Sequence, residues 1–162
     1  MKPKTMMIHS GTTGDEKTGA VSVPIYQVST YKQPKAGEHT GYEYSRTANP
    51  TRTALETVIR DLEGGANGYA FGSGMAAITA VMMLFNSGDH IVLTDDVYGG
   101  TYRVITKVLN RIGITATFVD TSDPEAVKKA ILPETKAVYI ESPTNPLLKM
   151  TDLKAIGELT KE

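Results

Sequence analysis

From Asn49 onward, short β-branched runs alternate with segments of helical period, and this alternation restricts the fold more than any other feature of the chain. The segment "NPTRTALETVIRDLEGG" predicts a helix, with Asn49 as N-cap and Pro50 at the first helical position. Leu55, Val58, Ile59 and Leu62 fall on one face, and Gly64 is placed to end it. A strand near Gly68 to Phe71, a helix from about Met75 to Asn86 and the strand "HIVLT" at 90–94 follow. A helix from about Gly100 to Arg111, the strand "ITATFV", the short helix "DPEAVKKAIL", the strand "KAVYIE" and a helix over roughly Thr151 to Lys161 complete the series. Strands joined by helical crossovers pair in parallel, so the reading is an α/β sandwich with a mainly parallel sheet flanked by helices.

Residues 1–49 differ. They hold many Gly, Pro, Thr and Tyr and few periodic segments, with one strand-like piece at "VSVPIYQVSTY". The expectation is an extended arm that gains its order from a neighbour, which points to an oligomer.

Composition removes several classes of function. With 162 residues, 40% hydrophobic and 22% charged, the chain has the make-up of a globular domain. Seventeen basic side chains against eighteen acidic ones leave a net charge of −1, with no basic run to track a nucleic acid or an anionic membrane. The absence of cysteine excludes disulfides, thiolate nucleophiles and Cys-based zinc sites in this chain. His9, His39 and His90 have no metal-pair spacing, and His90 reads as a packed, hydrogen-bonded histidine rather than a ligand. "MKPKTMMIHSG" lacks the apolar core of a signal peptide, and the apolar stretch from Ala76 to Phe85 is too short to span a bilayer. The expected compartment is the cytoplasm, and the expected partners are a small molecule and further copies of the chain.

In an open parallel sheet, ligands sit beyond the carboxyl ends of the strands. The residues there are Gly72-Ser73-Gly74, Asp95-Asp96-Val97-Tyr98, Asp120-Thr121-Ser122 and Glu141-Ser142-Pro143-Thr144-Asn145. Gly72-Ser73-Gly74 admits three readings. As G-x-G-x-x-A, with Asp95 closing the next strand, it fits a dinucleotide fingerprint of the NAD-binding Rossmann type, although such domains usually open with this strand. A serine nucleophile elbow needs G-x-S-x-G, and Phe71 stands where the first glycine should be. The third reading is a phosphate seat on the amides of Gly74 and Met75, with the planar ring of Tyr98 and the amide of Asn145 on neighbouring edges. That set suits a small phosphorylated aromatic cofactor such as pyridoxal 5'-phosphate (PLP).

Longer strings bear on the choice. "YEYSRTANPTR" at 42–52, "GSGMAAI" at 72–78, "DDVYGGTYR" at 95–103 and "ESPTNPLL" at 141–148 resemble the Cys/Met-metabolism family of PLP enzymes, the cystathionine lyases and synthases. The similarity runs along essentially the whole chain in the family's order, and leans toward the bacterial cystathionine γ-lyase (homocysteine γ-lyase) branch. It implies a fold-type I PLP-dependent transferase-like α/β fold. Residues 1–49 would then be an arm that contributes to a neighbouring subunit's site, and residues 50–162 the N-terminal half of the cofactor domain.

The resemblance also implies roles. Gly74 and Met75, with Ser73, would hold the cofactor phosphate. Tyr98 would stack on the ring and serve in proton transfer, Asn145 would contact the ring hydroxyl, and Arg103 would orient the substrate carboxylate. Tyr44 and Arg46 would bind the phosphate in a neighbouring subunit of a dimer or tetramer. The implied chemistry is elimination at the γ or β carbon of cystathionine or homocysteine, giving thiol or cysteine, ammonia and a 2-oxo acid. The β-lyase and γ-synthase reactions are alternatives within the same family. One departure stands out: no lysine here matches the family's covalent cofactor lysine, and neither Lys149 nor Lys154 fits that role. Residues 1–162 alone are therefore expected to be inactive, with an unpaired sheet edge and bare apolar helix faces.

Overall fold

The computed structural model describes residues 2–12 and 14–161. Backbone contacts divide the chain into two compact units, Met1–Phe71 and Gly72–Glu162.

The first unit contains α1 (Pro3–His9) and α2 (Pro50–Glu63). α2 forms as its sequence predicts: the Asn49 side chain accepts from the Thr51 amide, Pro50 opens the helix, and Gly64 closes it at φ 64°. The irregular segment is fastened to this helix by side chains reaching backbone groups. Asn49 Nδ2 donates to the Tyr26 carbonyl at 3.1 Å, Arg52 donates to the carbonyls of Ser45 and Thr47 at 3.1 and 2.7 Å, and the Thr51 hydroxyl donates to the Pro24 carbonyl at 2.9 Å. The expected strand-like piece is reduced to an isolated antiparallel bridge between Thr30 and Tyr44. The expected strand at Gly68 to Phe71 is absent. It has no ladder to join, and the Ala70 amide donates instead to the Glu56 carboxylate at 3.0 Å.

The second unit is a three-layer α/β arrangement. It begins with α3 (Gly74–Met82), followed by β1 (His90–Thr94), α4 (Gly99–Arg103), β2 (Thr115–Val119), α5 (Pro124–Ala130), β3 (Thr135–Tyr139) and α6 (Leu153–Leu159). The sheet order is β2-β1-β3, with both pairings parallel. β1 is central and buried along its whole length, as its continuous apolar run requires. Successive side chains of a strand point to opposite faces. Ile91 and Leu93 accordingly pack with Met82, Ile105, Leu109 and Ile114, while Val92 packs with Val127 of α5 and Ile156 of α6. The long helix expected after Gly100 is subdivided: α4 runs into a π-helical turn at Val104–Val108 and a 3-10 turn at Leu109–Ile112, which place Ile105 and Leu109 on the core. No helix among the described residues is long and apolar enough to cross a membrane.

The amino end of the sheet is held by His90, which is 3% exposed. Its Nδ1 lies 2.7 Å from the Thr135 hydroxyl and its Nε2 lies 2.9 Å from the Thr117 hydroxyl, so one imidazole joins all three strands. Both ring nitrogens are satisfied, as expected for a structural histidine. Burial holds its pKa below the ordinary histidine value. The folded state therefore resists a proton that the unfolded chain accepts, and stability falls as pH drops below about 6.5. His90→Ala should lower unfolding free energy by about 2 kcal/mol, because two hydroxyls lose a partner. It should also flatten that pH slope in urea titrations at pH 8 and pH 5.5.

Candidate active site

α3 begins with unused donors. Ser73 is its N-cap, with Oγ accepting from the Ala76 amide at 3.1 Å, while the amides of Gly74 and Met75 have no acceptor among the described residues. A helix start of this kind carries about half a positive charge, directed along those two N–H bonds. A Cβ built on Gly72 or Gly74 would meet nothing within 4 Å, so the approach is open.

Tyr98 comes to the same place from the end of β1. A Cβ on Gly100 would stand 2.5 Å from Met75 Sδ and 2.5 Å from Tyr98 Cε1, so the phenol and the first turn of α3 flank one point on α4. A Cβ there would force the Met75 sulfur or the Tyr98 ring to move. Tyr98 is 56% exposed, which leaves much of its ring accessible. Its backbone is fixed by Glu141 from the end of β3, whose carboxylate accepts from the Tyr98 amide at 2.8 Å and from the Thr101 hydroxyl at 3.2 Å. Arg103, in the last turn of α4, lines an open groove of about 820 Å³ with Met75 and Gly100, and has no ion pair among the described residues.

Asn145 sits exposed in the turn after β3. The turn is closed at its base, where the Thr144 amide donates to the Lys149 carbonyl at 3.1 Å and the Lys149 amide donates to the Thr144 hydroxyl at 2.9 Å. The Leu147 amide donates to Asp96 at 3.2 Å. Lys149 Nζ reaches Asp95 at 2.9 and 3.1 Å and Asp120 at 3.0 Å, joining the ends of β1 and β2 to this loop. Beneath it, a buried hydroxyl chain links Thr94 to Thr121 at 3.0 Å and Thr121 to Thr151 at 2.7 Å. Tyr44 and Arg46 belong to the first unit, where the Arg46 guanidinium lies 4.4 Å from the Tyr44 ring centroid.

The residues at hand fit a phosphorylated, planar cofactor: two free amides at a helix start, an accessible aromatic face beside them and an exposed carboxamide on a neighbouring edge. The family model described as Cys/Met metabolism PLP-dependent enzyme matches residues 4–162. The chain belongs to this family. It is 78% identical over 162 residues to a cystathionine gamma-lyase of Bacillus subtilis (strain 168), covering 100% of this chain and 43% of the relative. It is 58% identical over 158 residues to a cystathionine beta-lyase of Lactococcus lactis subsp. cremoris, covering 98% of this chain and 42% of that protein. Among solved structures, the cystathionine gamma-lyase from Lactobacillus plantarum complexed with L-serine superposes with a TM-score of 0.92 at 55% identity, over 99% of this chain and 42% of that one. The chain thus spans less than half the length of each of these three proteins.

For a member of a PLP-dependent family, the expected cofactor is PLP rather than a dinucleotide. Asp95, the acid that the dinucleotide reading assigned to a ribose, is bound to Lys149. Sequence reasoning missed Glu141 and Lys149 as organisers of the site. The available signal was charge: acidic residues directly after β1 and β2, and a lysine shortly after the Asn145 turn.

The Asp120 carboxyl is pulled down to about 2, first by the Ser122 hydroxyl and then by Lys149. Its contribution to stability is present above the ordinary aspartate pKa near 4 and is lost as pH falls through about 2. Asp120→Asn should therefore reduce the drop in urea midpoint between pH 4.5 and pH 2. Ser73→Ala should cost about 1 kcal/mol through loss of the cap, measurable in the same titrations at pH 7.

Proposed function

We propose that these residues form the N-terminal cofactor-binding part of a PLP-dependent carbon–sulfur lyase that eliminates at the γ carbon of cystathionine or homocysteine. The observation that carries the reading is that the side chain of Met75, in the first turn of a helix whose Gly74 and Met75 amides are unpaired among the described residues, meets the Tyr98 ring at Gly100. High identity to a relative named cystathionine gamma-lyase supports the γ-lyase assignment over the β-lyase reaction named for the second relative.

PLP, when bound, supplies an electron sink for charge developing at the carbon that bears the substrate amine. This chain's residues supply position and charge. The amides of Gly74 and Met75 and the hydroxyl of Ser73 donate to phosphate oxygens at the positive end of α3. Tyr98 gives the ring a flat apolar face, and its Oη carries a proton during elimination. Asn145 Nδ2 donates to the ring hydroxyl. The Arg103 guanidinium pairs bidentately with the substrate carboxylate. Tyr44 and Arg46 serve the phosphate of a neighbouring subunit, which makes the working form a homo-oligomer, dimer or tetramer; the compartment assigned to it is the cytoplasm.

The test is product analysis with full-length protein. Cystathionine should yield cysteine, ammonia and 2-oxobutanoate. Pyruvate with homocysteine would assign the β-lyase reaction instead, and a PLP-free protein that responds to NAD would remove the PLP reading altogether. Tyr98→Phe should keep the bound-cofactor absorbance while lowering kcat by about 100-fold, the scale of a lost proton-transfer group. Arg103→Met should act mainly on KM, raising it at least about tenfold, as expected for loss of a charged hydrogen bond to substrate.

A further inference from the structure

Lys149 has no counterpart in the roles above, yet it makes three short contacts. Its ammonium lies between Asp95, directly after β1, and Asp120, directly after β2, while its own backbone closes the turn that carries Asn145. No other cation pairs with either aspartate among the described residues. Asp95 stands three residues before Tyr98, and the adjacent Asp96 accepts from the Leu147 amide in the same turn. The Asn145 turn is therefore tied to the segment that carries Tyr98 by one ammonium and one amide.

The side chains of Lys149, Asp95 and Asp120 are 27%, 38% and 41% exposed, so each pair alone is weak. The geometry matters more than the pairwise energy. The turn residues themselves are anchored within the loop by Thr144, which is 1% exposed, and by the Leu148 amide donating to the Thr144 carbonyl at 3.1 Å. The outward ties of Lys149 and of the Leu147 amide add to the Thr94–Thr121–Thr151 chain in fixing the turn over the sheet edge, and they act nearest to Asn145. Removing the ammonium leaves two carboxylates facing each other across that position with no counter-charge, and their repulsion pushes the strand ends and the turn apart.

We propose that Lys149 is a positioning residue for the cofactor ring, acting as a latch that holds the Asn145 turn in register with Tyr98. The proposal rests on the PLP reading above for the identity of the ligand. The latch itself is a property of the polypeptide and can be measured without ligand.

The experiment compares full-length wild-type, Lys149→Met, Lys149→Arg and Asp95→Asn/Asp120→Asn proteins. Amide hydrogen exchange is followed at Leu147, Leu148 and Lys149, with β1 amides as the folding control, and PLP affinity is then titrated by absorbance. Lys149→Met should speed exchange in the turn at least about tenfold while β1 stays protected, and should raise the PLP dissociation constant about tenfold, equivalent to about 1.4 kcal/mol. Lys149→Arg should restore most of both. The double Asn protein loosens the latch from the other side without altering the turn, so it keeps the test decisive if Lys149→Met fails to fold. Local exchange and affinity unchanged in the double Asn protein and in a folded Lys149→Met protein would overturn the proposal. Faster exchange of the β1 amides in step with the turn would also overturn it, because the lysine would then act on overall stability only. Wild-type protein that takes up no PLP would overturn the underlying reading together with this one, whereas wild-type uptake matched by Lys149→Met would overturn this one alone.

Discussion

β1 is buried along its whole length and bonded in parallel on both sides, and it is the strand from whose carboxyl end Tyr98 follows. Parallel pairing brings the ends of β1, β2 and β3 to one edge. The chain leaves that edge through Asp95, Asp120 and Glu141, three acids in the part of the molecule proposed to hold a phosphate. Each is occupied: Asp95 and Asp120 by Lys149, Glu141 by the Tyr98 amide and Thr101. The negative charge is thereby spent on organising loops, and the positive end of α3 remains available for phosphate.

That division of labour explains why Gly100 and Glu141 matter as much as the groups that would touch a ligand. Gly100 lets the phenol and the Met75 sulfur approach one point, which a Cβ would fill. Glu141 ties the Tyr98 amide and the Thr101 hydroxyl to the end of β3. Neither residue offers chemistry of its own, yet both decide whether a flat ring could rest beside the start of α3.

Much of this was legible in the sequence where local signals and tertiary demands agree. α2 has an N-cap, a first-position proline and a terminating glycine, and it forms within those marks. β1 reads as a buried parallel strand and is one. The failures have physical causes. Gly68 to Phe71 has the apolar look of a strand, but a strand exists only with a partner, and the Ala70 amide is taken by Glu56. The helix after Gly100 has one continuous pattern, yet core packing of Ile105 and Leu109 selects π and 3-10 turns that periodicity does not reveal. α1 is a single short stretch of seven residues with no long apolar stripe to announce it. In the proposed site, Ser73, Gly74, Met75 and Tyr98 could be nominated from sequence because a glycine-flanked helix start and an aromatic after a strand have a ready chemical meaning. Lys149 could not, because its partners lie 54 and 29 residues away in sequence.

The most direct measurement is a crystal structure of the full-length protein with PLP bound. Phosphate oxygens at hydrogen-bonding distance, about 3 Å, from the amides of Gly74 and Met75, with the pyridine ring lying against Tyr98, are the predicted result. A phosphate held elsewhere, with those two amides facing solvent and Tyr98 turned away from the ring, would contradict it.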